Sequence, residues 1–167
     1  MSKVIIVRGY CGTGKSSAAK AIVSKNDFAF LEYDNFLWNI NAVNKPVKSD
    51  YEITFTNFLT VLKNYLKTNR NILIEGPLVP RTKDDPFDIK KLISIINKAG
   101  YKYKIIQLIA SDRVCVRRMK KRNHIVPKWE RDMFMQKHDT TIQKEEIVID
   151  TSNLTIQQTI NIIKRIL

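Results

Sequence analysis

Short apolar runs alternate along this chain with stretches whose apolar residues recur every three to four positions, the pattern of strands alternating with helices. Val4-Ile5-Ile6-Val7 is continuously apolar and reads as a strand covered on both faces. Ala18, Ala19, Ile22 and Val23 mark one face of a helix from about Lys15 to Ser24, and Phe28–Glu32 reads as a second strand. Phe55, Phe58, Leu59, Leu62, Tyr65 and Leu66 predict a long helix from about Tyr51 to Lys67. Asn71–Glu75 is a third strand, stopped by Gly76-Pro77. Asp85-Pro86 has the form of an N-cap followed by proline at the first helical position. The helix it predicts turns Ile89, Leu92, Ile93 and Ile96 inward and ends at Gly100. Tyr103–Ile109 and Ile147–Asp150 complete the strands. Thr155 and Gln158 have capping-box spacing, with Ile156, Ile160 and Ile163 as the buried face of a last helix. This order predicts βαβ units, a parallel sheet and an α/β fold. With no repeat, low-complexity tract or linker, a single domain over residues 1–167 is expected.

Composition adds exclusions. The chain is 44% hydrophobic and 27% charged, an ordinary globular balance. No apolar run approaches the roughly 20 residues of a membrane span, and the Met-Ser-Lys start is too abrupt for a signal peptide. Two cysteines, Cys11 and Cys115, make neither a disulfide framework nor a zinc site. A cytoplasmic, membrane-free protein is expected. The net charge of +13 needs discounting, because Ile (23), Lys (20) and Asn (13) all have AT-rich codons. Arginine is more telling. Four of only nine, Arg113, Arg117, Arg118 and Arg122, fall within ten residues.

Directly after the first strand stands Gly9-Tyr10-Cys11-Gly12-Thr13-Gly14-Lys15-Ser16, the pattern G-x-x-x-x-G-K-[ST] between a strand and a helix. Glycines let the backbone wrap a phosphate, and the helix N-terminus adds partial positive charge. Lys15 reaches the β- and γ-oxygens, and the Ser16 hydroxyl ligates Mg²⁺. Gly9, Gly12, Thr13, Gly14, Lys15, Ser16 and Ser17 are therefore the expected nucleotide-binding residues, with Mg²⁺ beside the phosphates; the loop alone does not distinguish a kinase, a GTPase or a motor. Cys11, inside the loop, reads as a small filler. The Asn-Lys-x-Asp motif by which GTPases read their base is absent.

Three further segments resemble the small P-loop kinases, in particular the polynucleotide 5′-kinases and zeta toxins. Leu31-Glu32-Tyr33-Asp34-Asn35-Phe36 places Asp34 where these families keep the aspartate that accepts the proton of the attacking hydroxyl. Asn71-Ile72-Leu73-Ile74-Glu75-Gly76 is similar to the zeta-toxin strand ending in Glu-Gly, which would set Glu75 near Mg²⁺ or the acceptor. Ser111 to Pro127 resembles a kinase lid, in a lid segment of about residues 111–138. Arg118 and Arg122, one helical turn apart, would close over the triphosphate, and Arg117 would face the adenine. Pro127 would open a second lid helix carrying Trp129, Met133 and Phe134, and Thr151-Ser152-Asn153 occupies the place of the adenine-side loop. The resemblance implies a three-layer fold around a five-stranded parallel sheet ordered 2-3-1-4-5. It also implies that ATP and Mg²⁺ are the cofactors, that Lys15, Asp34, Arg118 and Arg122 are catalytic and that Ser16 and Glu75 serve the metal.

The departures concern the acceptor. Polynucleotide kinases usually carry an arginine three residues after the aspartate, where Leu37 stands here. Zeta toxins follow Glu-Gly with Thr-x-Arg, where this chain has Pro77-Leu78-Val79. Phe36, Trp38, Arg81 and Lys83 lie in the expected acceptor region, and His124 and His138 read as surface residues. The expected activity is phosphoryl transfer to a hydroxyl of a nucleic-acid end, a nucleotide or nucleoside, or a small metabolite. The alternative is a nucleotide-dependent switch with no phosphorylated acceptor.

Overall fold

A computed structural model describes residues 2–24, 27–40, 45–121 and 146–167. Along the chain run β1 (Lys3–Gly9), α1 (Lys15–Val23), β2 (Phe28–Glu32), α2 (Tyr33–Trp38), α3 (Lys48–Leu66) and β3 (Asn71–Gly76). They are followed by α4 (Ile89–Lys98), β4 (Lys102–Ile109), α5 (Asp112–Lys121), β5 (Glu146–Asp150) and α6 (Ile156–Ile166). The five strands form one sheet in the order β2-β3-β1-β4-β5, every pairing parallel. This is the α/β architecture and strand order that the resemblance implies.

Side chains alternate across a strand, so β1, β3 and β4 each feed two cores. Val4, Ile6, Leu31, Ile72, Ile74 and Ile105 face α3 and α4, where Phe58, Leu62, Leu92 and Ile96 meet them. Ile5, Val7, Leu73, Ile106 and Leu108 face α1 and α6, against Ala18, Ala19, Ile22, Ile160 and Ile163. Burying each such Ile, Leu or Phe contributes about 1.5–3 kcal/mol. Across one end of the sheet Arg8 of β1 holds Glu146 of β5 with two hydrogen bonds, one of them 2.7 Å from Nη2 to Oε2. Both side chains are buried.

Four elements differ from the sequence expectation. Tyr33–Trp38 is helical and starts with no intervening loop after β2. α3 begins one turn early, at Lys48, where the Val47 N–H donates to Asp50 Oδ2 at 2.9 Å. α4 is capped by Asp88, whose side chain accepts from the Lys90 N–H at 2.8 Å, and not by Asp85. Asp85 is instead buried in the preceding loop, taken up by two backbone amides there. Ile156 does not face the core: it is 44% exposed, because the first turn of α6 stands over the phosphate loop. No described helix is long and apolar enough to cross a membrane.

Candidate nucleotide and acceptor site

The glycine-rich segment leaves the C-terminal end of β1 and turns into α1. Gly9 is the last residue of β1, paired with Leu108, and Gly14 is the left-handed N-cap of α1. Gly12 has φ +83°, and a Cβ there would lie 2.7 Å from both Cα and the carbonyl oxygen of Cys115. Only glycine lets the loop pack this closely on the backbone of α5. Thr13 turns inward, its hydroxyl donating to the Tyr10 carbonyl at 2.8 Å. Gly14 provides no side-chain acceptor to the first turn of α1, which holds Lys15, Ser16 and Ser17. A helix start of this form suits a phosphate.

Lys15, Ser16 and Glu75 converge. The Ser16 hydroxyl donates to Glu75 Oε1 at 3.0 Å, and the Lys15 ammonium lies 3.6 Å from the same oxygen. Lys15 and Glu75 are both buried. Burial opposes the charge on Lys15, but the Glu75 and Asp34 carboxylates outweigh it and hold its pKa above the ordinary lysine value. Burial drives Glu75 up, against the pull of Lys15 and the Ser16 hydroxyl. A hydroxyl and a carboxylate this close form a hard-oxygen pair. Mg²⁺ is commonly held by one or two such groups, with phosphate oxygens and water completing the shell. Ser16 and Glu75 fit that ion.

Asp34 lies in the first turn of α2, just beyond the end of β2. Its Oδ1 accepts from Arg81 Nη2, a contact 47 residues apart in sequence that no local pattern announced. Arg81 is buried, whereas Lys83 is exposed. α2 can dock here because Gly76 ends β3: a Cβ on it would meet the Tyr33 Cβ at 2.9 Å. Tyr33 packs edge-on against Phe58 and Phe87, with ring centroids 5.0 and 5.2 Å away. Its hydroxyl is buried with no hydrogen-bond partner among the described residues. Burial first, and then the Asp85 carboxylate, push its pKa well above the ordinary tyrosine range. Phe36 packs edge-on against Phe58, and Trp38 is half-buried.

On the other side of the loop, α5 carries Arg117 and Arg118 to a cavity of about 510 Å³. Arg117 is exposed at its rim, while Thr13, Gly14, Ser152, Asn153 and Ile156 are among the other lining residues. The Arg118 guanidinium is engaged by backbone and hydroxyl oxygens. Nη1 donates to the Gly12 carbonyl and to Thr151 Oγ1, both at 3.1 Å. Nη2 donates to the carbonyls of Thr151 at 2.7 Å and Leu154 at 3.2 Å. Thr151 Oγ1 in turn donates to the Thr13 carbonyl at 2.9 Å. Arg118 thus ties the phosphate loop to the loop after β5, an arrangement not anticipated from the lid pattern. Arg122, His124, Pro127, Trp129, Met133, Phe134 and His138 lie outside the described residues.

The model of an AAA domain family matches residues 4–141. The chain belongs to this family. No curated protein matches it significantly by sequence. Among solved structures, a sugar kinase from Janibacter sp. HTCC2649 superposes with a TM-score of 0.68 at 16% identity, over 99% of this chain and 94% of its own. A gluconokinase from Sinorhizobium meliloti 1021 gives 0.63 at 15% identity, over 95% of this chain and 87% of its own. The APS kinase of Mycobacterium tuberculosis, in complex with AMPPNP and APS, gives 0.61 at 15% identity, over 98% and 96%. The fold of this AAA domain is that of the P-loop kinases.

Proposed function

We propose that the protein is an ATP-dependent kinase that phosphorylates a hydroxyl group of a small metabolite. One arrangement carries the reading: Lys15, Ser16 and Glu75 share a centre at the ends of β1 and β3, with Asp34 close enough to act on the charge of Lys15. A switch protein also uses a carboxylate to hold Mg²⁺ beside the phosphate loop, as Glu75 could, but a second one at Asp34 is what a hydroxyl acceptor needs for its proton. The sugar, gluconate and APS kinases that share the fold lend support to a small acceptor over a nucleic-acid end.

In this mechanism the loop amides and Lys15 hold the triphosphate, and the cavity beside Arg117, Ser152 and Asn153 receives the nucleoside. Ser16 and Glu75 would hold Mg²⁺, which would supply charge neutralisation for the transferring phosphoryl group. The acceptor oxygen attacks the γ-phosphorus while the bond from that phosphorus to the β,γ-bridging oxygen breaks. Asp34 takes the hydroxyl proton, and ADP leaves. Because little covalent chemistry falls to the protein, rate comes from positioning and charge.

The test is transfer of label from γ-labelled ATP to a pool of neutral sugars, sugar acids, nucleosides and 5′-hydroxyl oligonucleotides. The reading expects label on a small hydroxyl compound. Label only on oligonucleotides would move the acceptor to nucleic acid, and label only in inorganic phosphate would favour the switch.

A further inference from the structure

We propose that Arg81 is a positioning residue for phosphoryl transfer: it fixes the Asp34 carboxylate by one oxygen and leaves the other for the acceptor hydroxyl. The proposal rests on the reading of Asp34 as the proton acceptor. Asp34 sits on a helix of six residues with its side chain 28% exposed, so little in α2 itself fixes the plane of its carboxyl. Among the described residues Arg81 Nη2 donates to Asp34 Oδ1 and not to Oδ2, and the Arg81 side chain is only 2% exposed. A planar guanidinium held by its surroundings restrains its partner's orientation better than a free ammonium does.

What holds Arg81 is equally specific. Asp85 Oδ2 accepts the Arg81 N–H at 2.8 Å and Oδ1 accepts the Phe87 N–H at 3.0 Å, so one carboxylate staples both ends of the 81–87 loop. The Asp85 N–H closes a turn on the Thr82 carbonyl at 3.2 Å. Phe87 then sets its ring against Tyr33, the residue next to Asp34. The loop and α2 are therefore joined twice, by the Arg81–Asp34 pair and by Phe87 on Tyr33. This is a second layer of support, which keeps a reacting group within a fraction of an ångström of its working position. Neither Asp85 nor Arg81 belongs to the phosphate loop, and both Lys15 and Tyr33 feel the Arg81 charge.

The test is a double-mutant cycle on the full chain with Arg81→Met, Asp34→Asn and the pair, plus Arg81→Lys. Transfer is read from γ-labelled ATP to an equimolar pool of D-glucose, D-gluconate, glycerol and adenosine. Arg81→Met is expected to lower kcat about 10- to 100-fold, as a small misplacement of a reacting group does, with KM for ATP unchanged. Arg81→Lys should recover part of that loss. In the Asp34→Asn background the same substitution should cost less than about 2-fold, because the group it positions no longer works. An acceptor-independent arm uses protein labelled with ¹³C at the aspartate carboxyls. The Asp34 resonance, identified by its loss in Asp34→Asn, should shift in Arg81→Met and return towards its place in Arg81→Lys. An unmoved resonance, wild-type kcat in Arg81→Met, or an equal loss in both backgrounds overturns the proposal; the last would mean that Arg81 grips the acceptor directly. Full transfer by Asp34→Asn sinks the base reading and this inference together, whereas an inactive Asp34→Asn beside an active Arg81→Met sinks only the inference.

Discussion

Glu75 accepts a hydrogen bond from Ser16 across 59 residues of sequence, at 3.0 Å. The contact ties the nucleotide loop to the strand that leads into the acceptor side. Lys15 shares the same carboxylate oxygen, so a phosphate arriving at the loop meets a lysine already oriented.

Lys15→Ala is accordingly expected to abolish turnover, falling by about 10²–10³-fold or more, the range for a lost group that stabilises transferring charge. Lys20 is exposed and pairs with Glu32 at 3.0 Å, so it cannot take over. Steady-state ATP turnover of Lys15→Ala beside Lys20→Ala checks this, the second variant serving as the near-wild-type reference.

Arg118 offers a test of geometry against pattern. Its guanidinium links Gly12, Thr151 and Leu154, so Arg118→Ala should loosen the cavity before it touches chemistry. Hydrogen bonds from a charged donor contribute about 1.5–3 kcal/mol. A lower melting temperature and at least about 10-fold weaker nucleotide binding are expected. A thermal unfolding scan reads the first effect, and calorimetric titration with a non-hydrolysable ATP analogue reads the second. Normal affinity with a collapsed kcat would instead place the arginine on the transferring phosphate.

Gly12→Ala combines a left-handed backbone with a clash. The left-handed conformation costs about 1–2 kcal/mol for a residue with a Cβ, and forced overpacking about 1–3 kcal/mol more. The new methyl meets the backbone of Cys115 and not its thiol. Denaturant unfolding should show the loss in Gly12→Ala, and adding Cys115→Ala should not recover it.

How far the sequence could be read depended on how local each signal was. The strands β1, β3 and β4 are short apolar runs, and the phosphate loop is contiguous, so both were legible. Asp34 and Glu75 were singled out because each stands near a strand end in a contiguous segment that resembles the small P-loop kinases. Arg81 was legible only as a basic residue of the acceptor region; its pairing with Asp34 was not, since the partner is 47 residues away and nothing around Arg81 repeats at helical or strand spacing. Asp85-Pro86 misled because a buried loop staple and a helix cap use the same residue for the same purpose, accepting backbone N–H bonds. Ile156 misled because its spacing matches Ile160 and Ile163, although the first turn of α6 looks onto the nucleotide cavity. α2 was missed because six residues hold fewer than two turns of periodicity.

Tyr33 predicts a dependence on pH. Its phenol is pushed upward by burial, so above about pH 10 the unfolded chain releases a proton that the folded chain keeps. The folded state then binds more protons, and stability falls as pH rises, by about 1.4 kcal/mol per unit. Tyr33→Phe removes this slope together with a buried hydroxyl that has no partner among the described residues. Urea unfolding at pH 7, 10 and 11 should find the variant at least as stable as wild type at pH 7, with its relative advantage growing towards pH 11. A constant difference across the series would place the Tyr33 hydroxyl in contact with water.

The most direct measurement is phosphoryl transfer by Asp34→Asn, taken with its ATP affinity and melting temperature. Asparagine keeps the size of the side chain and removes the proton acceptor. Mg·ATP binding should stay nearly normal, because the phosphate loop and Lys15 provide it, and folding should be retained. Transfer to the acceptor should fall by about 10²–10⁴-fold, the range for a lost acid–base group, while slow hydrolysis of ATP by water persists. An Asp34→Asn protein that transfers phosphate at the wild-type rate would contradict the account, leaving Asp34 as a residue of the α2 turn and nothing more.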